Sequence, residues 1–255
     1  SMEGSLRVHG GFAALIAALE DQVPQSSKRL EAETTSIGLK TDSVTLALSD
    51  GSEMTGDRVV IAMPPRLAAR IAYSPNLSDK SSALLAATPT WMGGQAKVVA
   101  VYEAPFWRDA GLSGDAMSRK GPLIEMHDAS PASGGPYALV GFVGLAAQAR
   151  SDQEILRRSV IQQLVRIFGA KAANPVQLLV KDWAFDPLTA TVRDQDPVRA
   201  HPVYEYPAVL RGLWDGRLIF AGTELAPHFG GYIEGALESA DAAVLTLAEQ
   251  TKSTA

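Results

Sequence analysis

AGTELAPHFGGYIEGALESA, residues 221–240, lies near the end of the 255-residue chain and decides how the rest is read. It follows the apolar run Arg217-Leu218-Ile219-Phe220, which reads as a buried strand. After it the spacing turns helical, through Ile233, Ala236, Leu237, Ala240, Val244 and Leu245. A strand and a helix are thus joined by glycine-containing turns, one acid and one tyrosine. Such a junction can be a tight helix entry whose glycines allow close packing. It can equally aim helix N-terminal amides at an electron-rich ligand, which the helix dipole favours.

Working outward, the chain alternates strands with inserted helices but lacks the strict βα repeat of a doubly wound sheet. The expected class is therefore α+β: a mixed, largely antiparallel sheet with covering helices, plus the C-terminal strand–helix. Helices are predicted over 10–22, 66–71, 78–88 with Ser78 as N-cap, 151–168 closed by Gly169, and 231–249. Strands are predicted in the hairpin segment 43–63, turned at Asp50-Gly51, and over 95–104, 121–127, 137–144, 176–183 and 217–222. Prolines between 186 and 212 mark that stretch as irregular. Residues 10–216 are expected to form mainly a substrate-binding domain and 217–250 the end of a cofactor domain.

Bulk properties exclude several classes. A formal net charge of −5, with no Lys/Arg cluster, gives no case for nucleic acid as a partner. No apolar run nears the roughly 18 residues that cross a membrane. The N-terminus lacks a charged-then-apolar signal, so the expected location is cytoplasmic. Ser1-Met2 is expected to be a remnant ahead of a start methionine. The chain has no cysteine, hence no disulfide, thiolate metal site or cysteine nucleophile. Its four histidines, His9, His127, His201 and His228, show no metal-binding spacing and are expected at the surface or in caps. The arginines at 150, 157, 158 and 166 are expected on a solvated face.

The wording of the junction resembles the C-terminal flavin-contacting signature of the flavin-dependent amine oxidases. "VVIAMPPRLAARIAYSPNL" (59–77), "GGQAKVVAVYEAPFW" (93–107), "VKDWAFDP" (180–187) and "LRVHGGFAALIAALE" (6–20) resemble further blocks of that family, in its order. The resemblance implies hydride transfer from a C–N substrate to non-covalently bound FAD, with dioxygen as reoxidant. It implies a small amine or amino-acid-like substrate. A chain without cysteine has no thiol for a flavin linkage. The family's N-terminal G-x-G-x-x-G unit is not in this sequence; "GLSGDAM" (111–117) is the nearest glycine cluster. A partial or split enzyme is therefore expected, with an N-terminal FAD-binding polypeptide and a second copy of the chain as partners. The alternative is a non-catalytic binding module or separate subunit that keeps the substrate-domain fold.

Residue by residue, the resemblance matches Lys97 to a lysine holding a water near the flavin; on burial cost alone it would point outward from an edge strand. It matches Tyr232 to one wall of an aromatic slot, Trp183 to a tryptophan beside the flavin, and Glu224 to the ribityl–phosphate side. Gly222, Gly231 and Ile233 would bring backbone close. The second wall falls at Arg193 if no gap intervenes, which would suit a carboxylate-bearing substrate. Tyr204 and Tyr206 lie too far on unless the loop is remodelled.

Overall fold

A computed structural model describes residues 8–131, 134–196, 198 and 200–252. Ser1-Met2, the first two residues of the 6–20 block, and Pro197 lie outside the described residues. The expected α+β class is found, divided among three sheets.

The largest is a five-stranded antiparallel sheet in the order β10-β6-β9-β8-β7, made of β6 (Ala96–Tyr102), β7 (Ala116–Met117), β8 (Leu123–Asp128), β9 (Tyr137–Val143) and β10 (Gln177–Asp182). Its central strand alternates: Ala96, Val98, Ala100 and Tyr102 are buried, while Lys97 points to the other face. Helix α5 (Gln153–Phe168) covers the buried face with Leu156, Val160 and Leu164. Each such side chain contributes about 1.5–3 kcal/mol by leaving water. Asp152 caps α5, accepting from the amides of Glu154 and Ile155 at 3.0 Å each, and Gly169 ends it at φ 89°. Buried Gln163 fixes the helix to β8: its amide accepts from Leu123 N at 2.8 Å and donates to Leu123 O at 2.7 Å.

A four-stranded sheet, β3-β2-β1-β5, contains β1 (Thr34–Leu39), β2 (Val44–Leu48), β3 (Glu53–Gly56) and β5 (Ala72–Ser74). Only the β1–β5 pair is parallel. Beside it β4 (Val59–Ile61) pairs in parallel with β11 (Leu218–Phe220). Ile37, Val44, Ile61, Leu85, Leu218 and Phe220 share one core, so distant parts of the chain build one body. The strand after Arg217 thus lies apart from the five-stranded sheet. Helices α1 (Gly11–Glu20), α2 (Pro65–Ala68), α3 (Asp79–Ala87), α4 (Phe106–Asp109) and α6 (Ile233–Lys252) complete the elements, with short 3-10 turns. Ser78 caps α3 as expected, accepting from Ser81 N at 3.1 Å.

The final helix presents a different face to the core from the one its apolar spacing marks. Buried Gly235, Ser239 and Ala243, four residues apart, lie on one face, while Leu237, Val244 and Leu245 are exposed. Ala243 packs with Ile219 and Ala221. Small side chains let the helix come close enough for Ser239 Oγ to accept from Gly222 N at 2.9 Å.

Candidate flavin and substrate site

Strands β4 and β11 run parallel and end together, at Ile61 and Phe220. The residues just beyond those C-terminal ends are Met63 and Gly222, and that edge is where α/β sheets hold their ligands. Gly222 sits at φ 113°, which favours glycine, and an added Cβ would come no nearer than 3.6 Å to Glu224 Oε2 or Met63 O. A Cβ would thus sit in ordinary contact, and it is the positive φ that calls for glycine at this turn. A short turn follows, and then the N-terminus of α6, whose first amides lack intrahelical acceptors.

Within this junction Glu224 is 5% exposed. Burial pushes its carboxyl above the usual glutamate range and the charge of Asp194 adds to that; its own amide and Thr90 pull the other way. Buried Tyr204 stands nearby, its phenol pushed well up by burial and by Glu224. Tyr204 Oη donates to Pro89 O at 2.8 Å and accepts from Trp91 N at 3.0 Å. Gly231, at φ 83°, makes room for this group: a Cβ there would meet His201 Nε2 at 2.9 Å, Tyr204 Cε2 at 3.2 Å and Trp91 Cβ at 3.3 Å.

Tyr232 and Ile233 are exposed at the mouth of the junction. The ring facing Tyr232 is His201, parallel within 7° at a centroid separation of 5.2 Å. Trp91 packs on the same imidazole at 4.8 Å. The position expected to supply the second wall goes elsewhere: Arg193 Nη1 donates to Ala86 O at 3.2 Å, at the end of α3. The loop is drawn in by the next residue, Asp194, which is buried and paired with Arg66 at 2.6 Å. Asp194 also accepts from Thr191 N at 2.8 Å and Thr191 Oγ1 at 2.7 Å. That anchoring brings His201 and Tyr204 back to Gly231, so the sequence distance from Trp183 does not keep Tyr204 away.

Lys97 lies in the five-stranded sheet, and Trp183 opens the turn that follows its strand β10. Residues 89–95 connect them to the junction: Trp91 touches His201, and Gln95 O accepts from Trp183 N at 3.0 Å. Lys97 is not on an edge strand, because β6 lies between β10 and β9. Neither is it desolvated; it is exposed, with Nζ 4.9 Å from the Phe142 ring centre. Lys181 is its cross-strand neighbour and lies 4.5 Å from the Trp183 ring centre. Arg150, expected in solvent, is 2% exposed. Its guanidinium grips Asp182 and donates to Gly94 O at 2.6 Å, fixing the strand end that carries Trp183.

Residues 1–245 match the flavin-containing amine oxidoreductases. The chain belongs to that family. It is 32% identical over 243 residues to a probable flavin-containing monoamine oxidase A of Dictyostelium discoideum, covering 91% of this chain and 51% of that protein. An L-amino acid dehydrogenase of Synechocystis is 28% identical over 200 residues, covering 74% and 40%. The structure of cyclohexylamine oxidase from Brevibacterium oxydans superposes with a TM-score of 0.76 at 27% identity, over 95% of this chain and 53% of that one. This family member therefore spans about half the length of the relatives it matches. Among the described residues no helix is long and apolar enough to cross a membrane.

Trp91, His201 and Tyr204 are the site residues that spacing did not find. For His201 and Tyr204 the one signal is the aromatic density of HPVYEY (201–206), which follows a stretch without periodicity; Trp91 has none.

Proposed function

We propose that this chain supplies the flavin-ring and substrate side of an FAD-dependent amine oxidoreductase. The observation that carries the reading is the parallel pair β4–β11, whose shared C-terminal edge runs through Gly222 into the N-terminus of a 20-residue helix. Gly222 lets the chain turn at that edge, and the first amides of α6 offer dipoles to a region that gains negative charge on reduction. Bound FAD would supply the hydride acceptor, taking hydride from the carbon attached to the substrate nitrogen. This chain's residues orient and hold. Tyr232 guides the amine, Trp183 walls the far side, Glu224 keeps the junction's shape from within, and Lys97 positions a water on the open sheet face. A small amine is the substrate class favoured by the cyclohexylamine oxidase likeness. The amino acid dehydrogenase likeness keeps amino-acid-like amines in the same class.

The G-x-G-x-x-G element that holds a pyrophosphate is not in this sequence, so we assign that end of FAD to polypeptide outside these residues, joined or separate. The test is reconstitution. The 255-residue chain should bind FAD weakly, and adding the N-terminal half of the Dictyostelium relative should raise flavin binding, seen as quenched flavin fluorescence. Gly231→Val should abolish the gain, because its side chain enters the space held by His201 and Tyr204. Equal flavin binding by wild type and Gly231→Val would overturn the assignment.

A further inference from the structure

We infer that His201 is a specificity-determining residue whose Nε2 accepts a hydrogen bond from the substrate's ammonium; this rests on the amine oxidoreductase reading above. Three observations carry it. First, the imidazole lies against Tyr232, the ring expected to guide the amine, and is backed by Trp91. Second, Nδ1 lies 2.8 Å from Pro202 O, which can only accept, so Nδ1 carries the hydrogen. In the neutral ring Nε2 is then a bare acceptor, and among the described residues it has no partner. Third, the side chain that Gly231 lacks would stand 2.9 Å from Nε2. Only glycine lets the ring hold this place, and the ring itself stays exposed, with Nε2 its one unused nitrogen.

An ammonium N–H reaching Nε2 from the exposed side of the ring meets an acceptor, beside the Tyr232 and Trp91 rings. If the proton crosses, it passes from ammonium to Nε2. The amine then keeps its lone pair for loss of hydride from the adjacent carbon. The resulting imidazolium retains the Nδ1–H bond to Pro202, so the ring need not turn. Tyr204 and Tyr232 are the titratable groups packed on the ring. The nearby carboxyls are Glu224, and Asp194, which is paired with Arg66. The site thus prefers amines with an N–H to donate, and a quaternary ammonium gains only the ring contacts.

The test reads the protein without turnover. Long-range 1H–15N imidazole spectra of the 255-residue chain should show His201 protonated on Nδ1, where free histidine favours Nε2. Cyclohexylammonium should shift the Nε2 signal, and N,N,N-trimethylcyclohexylammonium should not. Affinity for the first should exceed that for the second roughly tenfold, the size of one charge-assisted hydrogen bond. His201→Phe, which keeps a stacking ring, should erase that preference. An Nε2-protonated His201, or equal affinity for the two probes, overturns the inference. The tautomer readout needs no variant and survives any folding defect. Failure of the amine oxidoreductase reading would look different: no flavin gain on reconstitution, with the His201 signals as described.

Discussion

Arg150 grips Asp182 with two hydrogen bonds, Nε to Oδ2 at 2.8 Å and Nη2 to Oδ1 at 3.0 Å, and both side chains are buried. The same guanidinium reaches the carbonyls of Gly94 and Leu145, so one side chain ties together three segments. Asp182 in turn accepts from Ala184 N at 3.1 Å, shaping the turn that holds Trp183. Removing the arginine leaves a buried carboxylate without its partner. Arg150→Ala should cost about 3–5 kcal/mol in urea unfolding. Arg150→Lys should recover only part, because an ammonium cannot reproduce the two-pronged bond. A loss no larger than that of an exposed pair would show that solvent reaches Asp182.

Gly235 reverses the usual helix rule. Alanine is ordinarily about 1 kcal/mol better than glycine inside a helix. Here the added Cβ would lie 2.1 Å from Phe229 O and 2.6 Å from Phe229 C, both backbone atoms. Gly235→Ala should therefore lower stability by roughly 1–3 kcal/mol, the cost of overpacking. It should also disturb Thr223 Oγ1, 2.7 Å from the new methyl. Denaturation curves check the first expectation; the Tyr232 signals in NMR spectra check the second.

The parts of this design that could be read from the sequence are those with local causes. Ser78, Asp152 and Gly169 end helices through their own chemistry, and the apolar run at 218–220 is buried because it is continuous. Strands β1, β5 and β7 escape notice: TTSIGL carries little alternation, AYS is three residues long, and AM is two. Their pairing is set by neighbours. The site shows the same divide. Gly222, Glu224, Gly231, Tyr232 and Ile233 are contiguous enough to form a recognisable signature. His201 enters by way of a loop whose course depends on Arg66 and Asp194, residues 128 positions apart. No local spacing encodes that, nor the burial of Arg150 beside a solvated cap.

Glu224 makes stability depend on pH in an uncommon direction. Its folded carboxyl is raised above the ordinary 4.5, mainly by burial. A raised group contributes stability that is full below its unfolded value and is lost as pH rises through the folded value. Between pH 4.5 and neutrality, wild type should therefore lose stability relative to Glu224→Gln, which has no such proton to release. Urea midpoints of the two proteins across that range give the measurement. A constant difference between them would mean that Glu224 is ionised at no cost.

Two helices carry several exposed apolar side chains each. Helix α1 buries none of its residues and shows Phe12, Ile16 and Leu19; α6 shows Leu237, Val244 and Leu245. Apolar helix faces left open to water are where a partner surface is expected. We expect the chain alone to self-associate, with sedimentation that depends on concentration. Phe12→Ser or Leu245→Glu should move it toward monomer without loss of helical signal.

Lys97 and Lys181 face each other across β6 and β10, yet they are held differently. Lys181 is tied to Asp186 and lies over Trp183. Lys97 rests only on Phe142 among the described residues, leaving its ammonium free to hold a water. In the flavin-loaded protein, Lys97→Met should slow flavin reduction by about 10²–10⁴, the span for one positioned proton-handling group. FAD affinity should hardly change, because the proposed role of Lys97 is to hold a water and not the nucleotide. Lys181→Met is the control: it should alter Trp183 fluorescence and leave the reduction rate nearly intact. Stopped-flow bleaching of the flavin with cyclohexylamine reads both variants. A reduction rate unchanged in Lys97→Met would make this lysine a surface residue of the open sheet face.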